Sequence, residues 1–193
     1  MNTRLVACAA LFVAVFAASA CQTMSVDECQ TADWRGLGRS DAADGGASRL
    51  PARTESCARG NITPDSAAYQ TGFGEGMRDF CTPVHGFQFA SAGRTFAGSC
   101  PDDQEADFRP AYADGQTVAE ADRVAATARS RVNYLESRNA DIIDQLRRHP
   151  DNTRLAGELE RNRSELPGAR VDAVNRESEA RRIRFSLSRH WIK

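Results

Sequence analysis

The sequence predicts a mainly α fold: a small disulfide-linked helical head with one short β-hairpin, followed by a long antiparallel helical hairpin that forms a coiled-coil-like arm. Three observations lead there. Cys29, Cys57, Cys81 and Cys100, with most of the glycines and aromatics, fall between residues 24 and 116. From Val118 onward the chain is rich in Arg, Glu, Ala and Leu, and its apolar residues recur every three or four positions. Charge divides at the same point: residues 22–117 hold 8 Arg against 14 Asp and Glu, a balance of −6, whereas 118–193 hold 15 Arg and one Lys against 12 acids, a balance of +4. The expected organisation is a signal peptide over 1–20, a lipid-anchor segment over 21–23, a cysteine-containing head over 24–117 and the hairpin arm over 118–193.

At the start of the chain, Arg4 precedes an uncharged run from Leu5 to Ala17, the length of a signal-peptide apolar region and short of the roughly 20 residues that span a bilayer. Ala18-Ser19-Ala20-Cys21 follows and resembles the lipobox of bacterial lipoproteins, in which the cysteine is acylated. The usual Leu three places before that cysteine is here Ala18, and the same tripeptide satisfies ordinary signal peptidase, so a free secreted protein is the alternative. Cysteine count favours the lipid: of six, Cys8 leaves with the signal, and lipidation of Cys21 leaves an even four. Gln22 rather than Asp after the anchor points by the same resemblance to the inner leaflet of the outer membrane, facing the periplasm.

In the head, Ser25-Val26-Asp27-Glu28 is a capping-box pattern expected to open a helix carrying Cys29 and Trp34. Thr63-Pro64-Asp65 is a second helix start, with Thr63 as N-cap, for a helix through Tyr69 to Phe80. Phe87-Gln88-Phe89, then Ala-Ser-Ala-Gly93, then Arg94-Thr95-Phe96 alternates about a glycine and predicts the β-hairpin. A third helix is expected after Pro101-Asp102-Asp103, passing Phe108 and Tyr112. Glycines recur beside aromatics, Trp34 with Gly38, Tyr69 with Gly72 and Gly76, Tyr112 with Gly115, which implies close backbone packing, since glycine inside a helix otherwise costs about 1 kcal/mol. Four cysteines in an exported segment predict two disulfides, with three pairings open, each adding roughly 3 to 4 kcal/mol by constraining the unfolded chain. Spacings of 28, 24 and 19 residues lack the close ligand pairs of a zinc site, so no metal and no cofactor is expected.

Along the arm, Val118, Ala121, Ala125, Ala128, Val132, Leu135, Asn139, Ile142 and Leu146 form a heptad seam, with Asn139 the buried amide that sets register or partner at some cost in stability. His149-Pro150-Asp151-Asn152-Thr153 breaks the helix and offers a new N-cap. Leu155, Leu159, Leu166, Ala169, Ala173, Ala180, Ile183 and Leu187 then line a return helix, which Pro167-Gly168 is expected to kink or split. An intermolecular coiled coil is the alternative to the hairpin, and oligomeric state stays open. Near the end, Arg181, Arg182, Arg184, Arg189 and Lys193 surround Ile183, Phe185, Leu187, Trp191 and Ile192 with no Asp or Glu after Glu179. Two readings apply: an amphipathic stretch on anionic lipid, or Ile183, Leu187 and Trp191 packed on the head with the arginines solvated or paired, which is preferred. Asn139, Arg181, Arg182, Arg184 and Trp191 are the expected partner contacts.

Glu28-Cys29, Asp33-Trp34 with Gly38 and Asp41, Cys57, Tyr69-x-x-Gly72-x-x-x-Gly76, Phe80-Cys81-Thr82-Pro83, Gly98-x-Cys100-Pro101, and Phe108 leading to Tyr112-x-Asp114-Gly115 occur in that order. Over residues 24–116 the head thereby resembles the bacterial lipoprotein family of domain of unknown function twenty-seven ninety-nine. The resemblance implies a cell-envelope lipoprotein with no catalytic residues to carry over.

His85, His149 and His190 stand apart, and no nucleophile elbow, zinc-protease, phosphate-loop or calcium-loop motif occurs. Glu75 and Asp79, one helical turn apart, could pair as acid and base, but exposed acids beside a glycine-rich helix are usually solvated, and a hydrolase would need a deep pocket holding Glu75 or His85. The protein is therefore expected not to be an enzyme. It is read as a structural or interaction module presenting its arm to an envelope protein or the cell-wall polymer, with a small-molecule or stress-sensing head as one alternative and a hydrolase as another. Export and a net charge of −1 disfavour nucleic acid.

Overall fold

The computed structural model describes residues 24–192. Its helices in order are α1 (Val26–Gln30), α2 (Trp34–Ala43), α3 (Leu50–Ala58), α4 (Ser66–Phe80), α5 (Pro83–Ser91), α6 (Asp102–Arg148) and α7 (Thr153–Trp191), with no strand among the described residues. The chain forms two compact units, one ending at Gly76 and the other starting at Met77.

In the first unit the capping box forms as expected: Glu28 N–H donates to Ser25 Oγ, and Ser25 N–H donates to the Glu28 carboxylate at 2.7 Å. The helix it opens is shorter than expected. Thr31 ends α1, and Asp33 caps a separate α2 by accepting from Gly36 N–H at 3.0 Å, so Cys29 and Trp34 lie on different helices. The cap of α4 is Asp65 rather than Thr63: its carboxylate accepts from Ala68 N–H at 2.9 Å, and its carbonyl accepts from Tyr69 N–H. Cys29 and Cys57 form a disulfide, which sits in a core with Met24, Trp34 and Tyr69. Gly38 and Gly72 let α2 and α4 touch backbone to backbone. A Cβ on Gly38 would lie against the Tyr69 carbonyl, and one on Gly72 against that of Arg35.

The second unit contains the correction to the fold. The segment expected as a β-hairpin is instead α5 followed by a loop. Thr82 caps it by accepting from His85 N–H, Pro83 occupies the first turn, and Gly93 at φ +75° ends it. Phe87 and Phe89, spaced like strand neighbours, both point inward because their helix is covered on more than one side. Phe80, Phe89, Phe96, Phe108 and Tyr112 form a continuous aromatic cluster, and the Cys81–Cys100 disulfide closes the loop over it.

The arm is a helical hairpin, longer than expected on its outgoing side. The boundary placed between residues 117 and 118 falls inside α6, which runs 47 residues, about 70 Å at 1.5 Å per residue, and continues through Pro110 and Gly115. Asn152 caps α7 by accepting from Leu155 N–H at 3.1 Å. α7 is likewise unbroken at Pro167, because the proline removes one backbone bond while Leu159 and Ala173, buried on either side of it, keep the helix seated. Arg129–Glu177, Glu136–Arg170 and Arg138–Glu158 pair across the two helices with one number rising as the other falls, which makes them antiparallel. Val118, Ala125, Leu135, Asn139 and Ile142 are buried on the seam, as its spacing predicts.

Candidate functional site

The most unusual chemistry of the first unit is a charge buried with its partners. Asp41, on α2 and 3% exposed, accepts from Arg53 Nε at 2.9 Å and Arg53 Nη2 at 2.7 Å, and from the hydroxyl of the fully buried Tyr69 at 2.7 Å. Tyr69 Oη in turn accepts from the Arg49 N–H at 3.0 Å. α3 brings Arg53 to the site because Pro51 starts that helix in its first turn. Burial works to raise the Asp41 carboxyl, but the hydrogen bonds from Arg53 and Tyr69 and the charges of Arg53 and Arg49 outweigh it and hold the group below its usual range. Burial and the bond to Asp41 push the Tyr69 phenol up, and the bond to Asp41 raises the Arg53 guanidinium further. At neutral pH the three are a carboxylate, a guanidinium and a neutral phenol, an arrangement suited to holding α2, α3 and α4 together.

A cleft of about 390 Å³ lies beside Arg53, with Met24, Ala32 and Leu37 giving it an apolar lining and Glu28 and Asp33 supplying carboxylates. Glu28 is held by the Ser25 N–H and hydroxyl, and Asp33 caps α2, which leaves the cleft few unclaimed polar groups.

Of the acid–base candidates, Glu75 is paired with Arg35. His85 lies against Phe80, ring centres 4.3 Å apart, and burial followed by the charge of Arg94 lowers its pKa, favouring the neutral imidazole. Among the described residues no group of three or more His, Cys, Asp or Glu is placed to hold a metal, and no helix is long and apolar enough to cross a membrane.

The residues expected as contacts are arranged as follows. Cys21 lies outside the described residues. Cys29 pairs with Cys57 and Cys81 with Cys100, resolving the three open pairings. Asn139 is buried on the seam, and its Oδ1 accepts no hydrogen bond among the described residues; Asn162 Nδ2 likewise donates none. The flanking Arg138–Glu158 and Glu136–Arg170 pairs put these two amides at the same level of the hairpin. Arg181 lies 3.8 Å from Glu177, and Arg182 and Arg184 pair with Glu179 and Asp122. Trp191 packs with Ile183 and Leu187 on Phe87, Ala111 and Val118, and its Nε1–H donates to Asp114 at 2.8 Å.

Sequence reasoning missed Arg53, which closes the buried network. The signal available was Leu50-Pro51, a helix start three positions ahead of a basic residue. It also missed the outward direction of Val171, Val174 and Phe185, which the helical period alone would have shown.

The family model described as a protein of unknown function, DUF2799, matches residues 33–117, from the cap of α2 into α6. No curated protein and no solved structure matches the chain.

Proposed function

From the premise that residues 33–117 carry the DUF2799 domain, we propose that this chain is a cell-envelope lipoprotein, anchored through an acylated Cys21, that works as a structural or interaction module. Its α6–α7 arm is offered to another envelope protein or to the cell-wall polymer. The anchor belongs to the inner leaflet of the outer membrane and the folded part to the periplasm. The protein acts without catalysis, cofactor or nucleic acid.

One observation carries this reading: a helical hairpin tens of ångströms long whose seam is complete within one chain and whose outer faces still expose Tyr134, Val171, Val174 and Phe185. Two buried disulfides suit an oxidising compartment. The test is in vivo crosslinking of the intact protein beside a variant whose two arm helices are shortened by equal lengths in register, leaving the base of the arm whole. Loss of the crosslinked species in the short-armed variant is the expected result. An undiminished set of products would end the proposal. Mass spectrometry of the mature N-terminus checks the acyl group on Cys21.

The cleft beside Arg53 supports a second reading, a small-molecule-sensing first unit. A thermal-shift screen against envelope metabolites tests it, with no stabilising compound as the outcome that counts against it.

A further inference from the structure

The C-terminal half of α7 has two unlike faces. One carries Ala173, Ala180, Ile183, Leu187 and Trp191 and is covered within the second unit. The other is open: Val171 and Val174 are each 61% exposed, Phe185 65% and Ile192 45%. At 100° per residue Val171, Val174 and Phe185 fall on one stripe with Arg181, Arg182 and Arg189, and Ile192, the C-cap residue, follows at its end. The stripe spans about 31 Å along the helix axis. Arg189 stacks over the Phe185 ring, 5.5 Å from its centre, and no Asp or Glu side chain occurs between residues 180 and 193.

From this juxtaposition we propose that the outward face of α7 between Val171 and Ile192 is a peripheral membrane-binding face selective for anionic phospholipid. The charge decides among occupants. A second copy docked face to face in parallel would set each of Arg181, Arg182 and Arg189 against itself, and one docked antiparallel would set Arg181 against Arg182 and Arg189 over Val174. A polyanionic polymer would satisfy the guanidiniums and leave Phe185 and the valines in water. An anionic bilayer surface takes both, the aromatic and aliphatic side chains entering among the acyl chains while the arginines meet phosphate. Arg181, 69% exposed, lies 3.8 Å from a Glu177 that Arg129 already holds, and the Arg182–Glu179 pair is solvent-exposed, so both guanidiniums are held weakly and can turn to a new anion. The contact goes beyond the proposed function and does not depend on acylation of Cys21.

The test is vesicle cosedimentation of the chain from residue 21 with Cys21→Ser, which can carry no acyl chain. Vesicles are of phosphatidylcholine alone or with phosphatidylglycerol. Binding is expected to the phosphatidylglycerol vesicles and to be released by salt. Phe185→Ser should weaken it about ten-fold, and Arg181→Gln, Arg182→Gln and Arg189→Gln together by on the order of a hundredfold, each variant keeping the parent melting curve. No binding to the anionic vesicles, equal binding to both kinds, or indifference to both sets of substitutions overturns the proposal. So does self-association in the absence of lipid that Phe185→Ser abolishes. Crosslinking to a protein partner that survives loss of vesicle binding leaves the arm's proposed function standing, so the two ideas fail separately.

Discussion

The carboxylates of Asp41 and Glu165 each meet a guanidinium through two hydrogen bonds, yet the two pairs stand in opposite surroundings. Asp41 and Arg53 are 3% and 11% exposed, inside the first unit, with a buried tyrosine completing the set. Glu165 and Arg131 are 47% and 48% exposed, on the flank of the arm. In water such a pair gains little over its hydrated parts, whereas a buried charge that loses its partner has nowhere to find another. The first unit thus concentrates its polar specificity at one point, while the arm spreads its ion pairs along an apolar seam that carries the stability.

The sharpest way to break this comparison is Asp41→Asn, which leaves Arg53 buried and uncompensated. It should cost about 3 to 5 kcal/mol, measured by urea unfolding. The same carboxylate fixes a pH dependence. Its folded pKa lies below the unfolded one, so its contribution is full above the unfolded value and is lost as pH falls through the folded value. Asp41→Asn should flatten that acid limb. Next in size is removal of the Cys29–Cys57 clasp by paired Cys→Ser substitution. Its 28-residue separation sets a loss of about 3 to 4 kcal/mol, read from the shift in thermal midpoint under non-reducing conditions.

In the arm the effects should be smaller. Asn139→Leu removes a buried acceptor without a partner and should raise stability by about 1 kcal/mol. A variant no more stable than the parent would show that the amide does find a donor across the seam. Smallest of all is Arg131→Gln, expected to change the unfolding free energy by less than about 1 kcal/mol in the same urea titration. Were it to match Asp41→Asn, burial would not be what separates the two regions.

Much of the arm was legible because its signals are local and repeated. The seam residues from Val118 to Ile142 recur at the helical period, and Asn152-Thr153 marks a restart that needs no distant partner. Pro167-Gly168 was misleading, since a proline ends a helix only when packing on both sides does not hold it. The misread hairpin has the same cause at smaller scale. Phe87-Gln88-Phe89 alternates like a strand, while Thr82-Pro83 carries the same start signal that was recognised at Thr63-Pro64. The ten residues from Phe87 to Phe96 could not choose between the two periods until the Phe80 and Phe108 rings packed against Phe89 and Phe96.

By itself, the sequence determined that this protein is helical, that a cysteine-bearing head precedes a long hairpin, and where the main turn between the arm helices falls, because caps, breaks and apolar periods act over a few residues. The tertiary structure alone decided which cysteines join, that Arg53 meets Asp41, and that the compact units divide at Gly76. Those outcomes depend on residues tens of positions apart competing for the same buried space, and no local pattern encodes the winner.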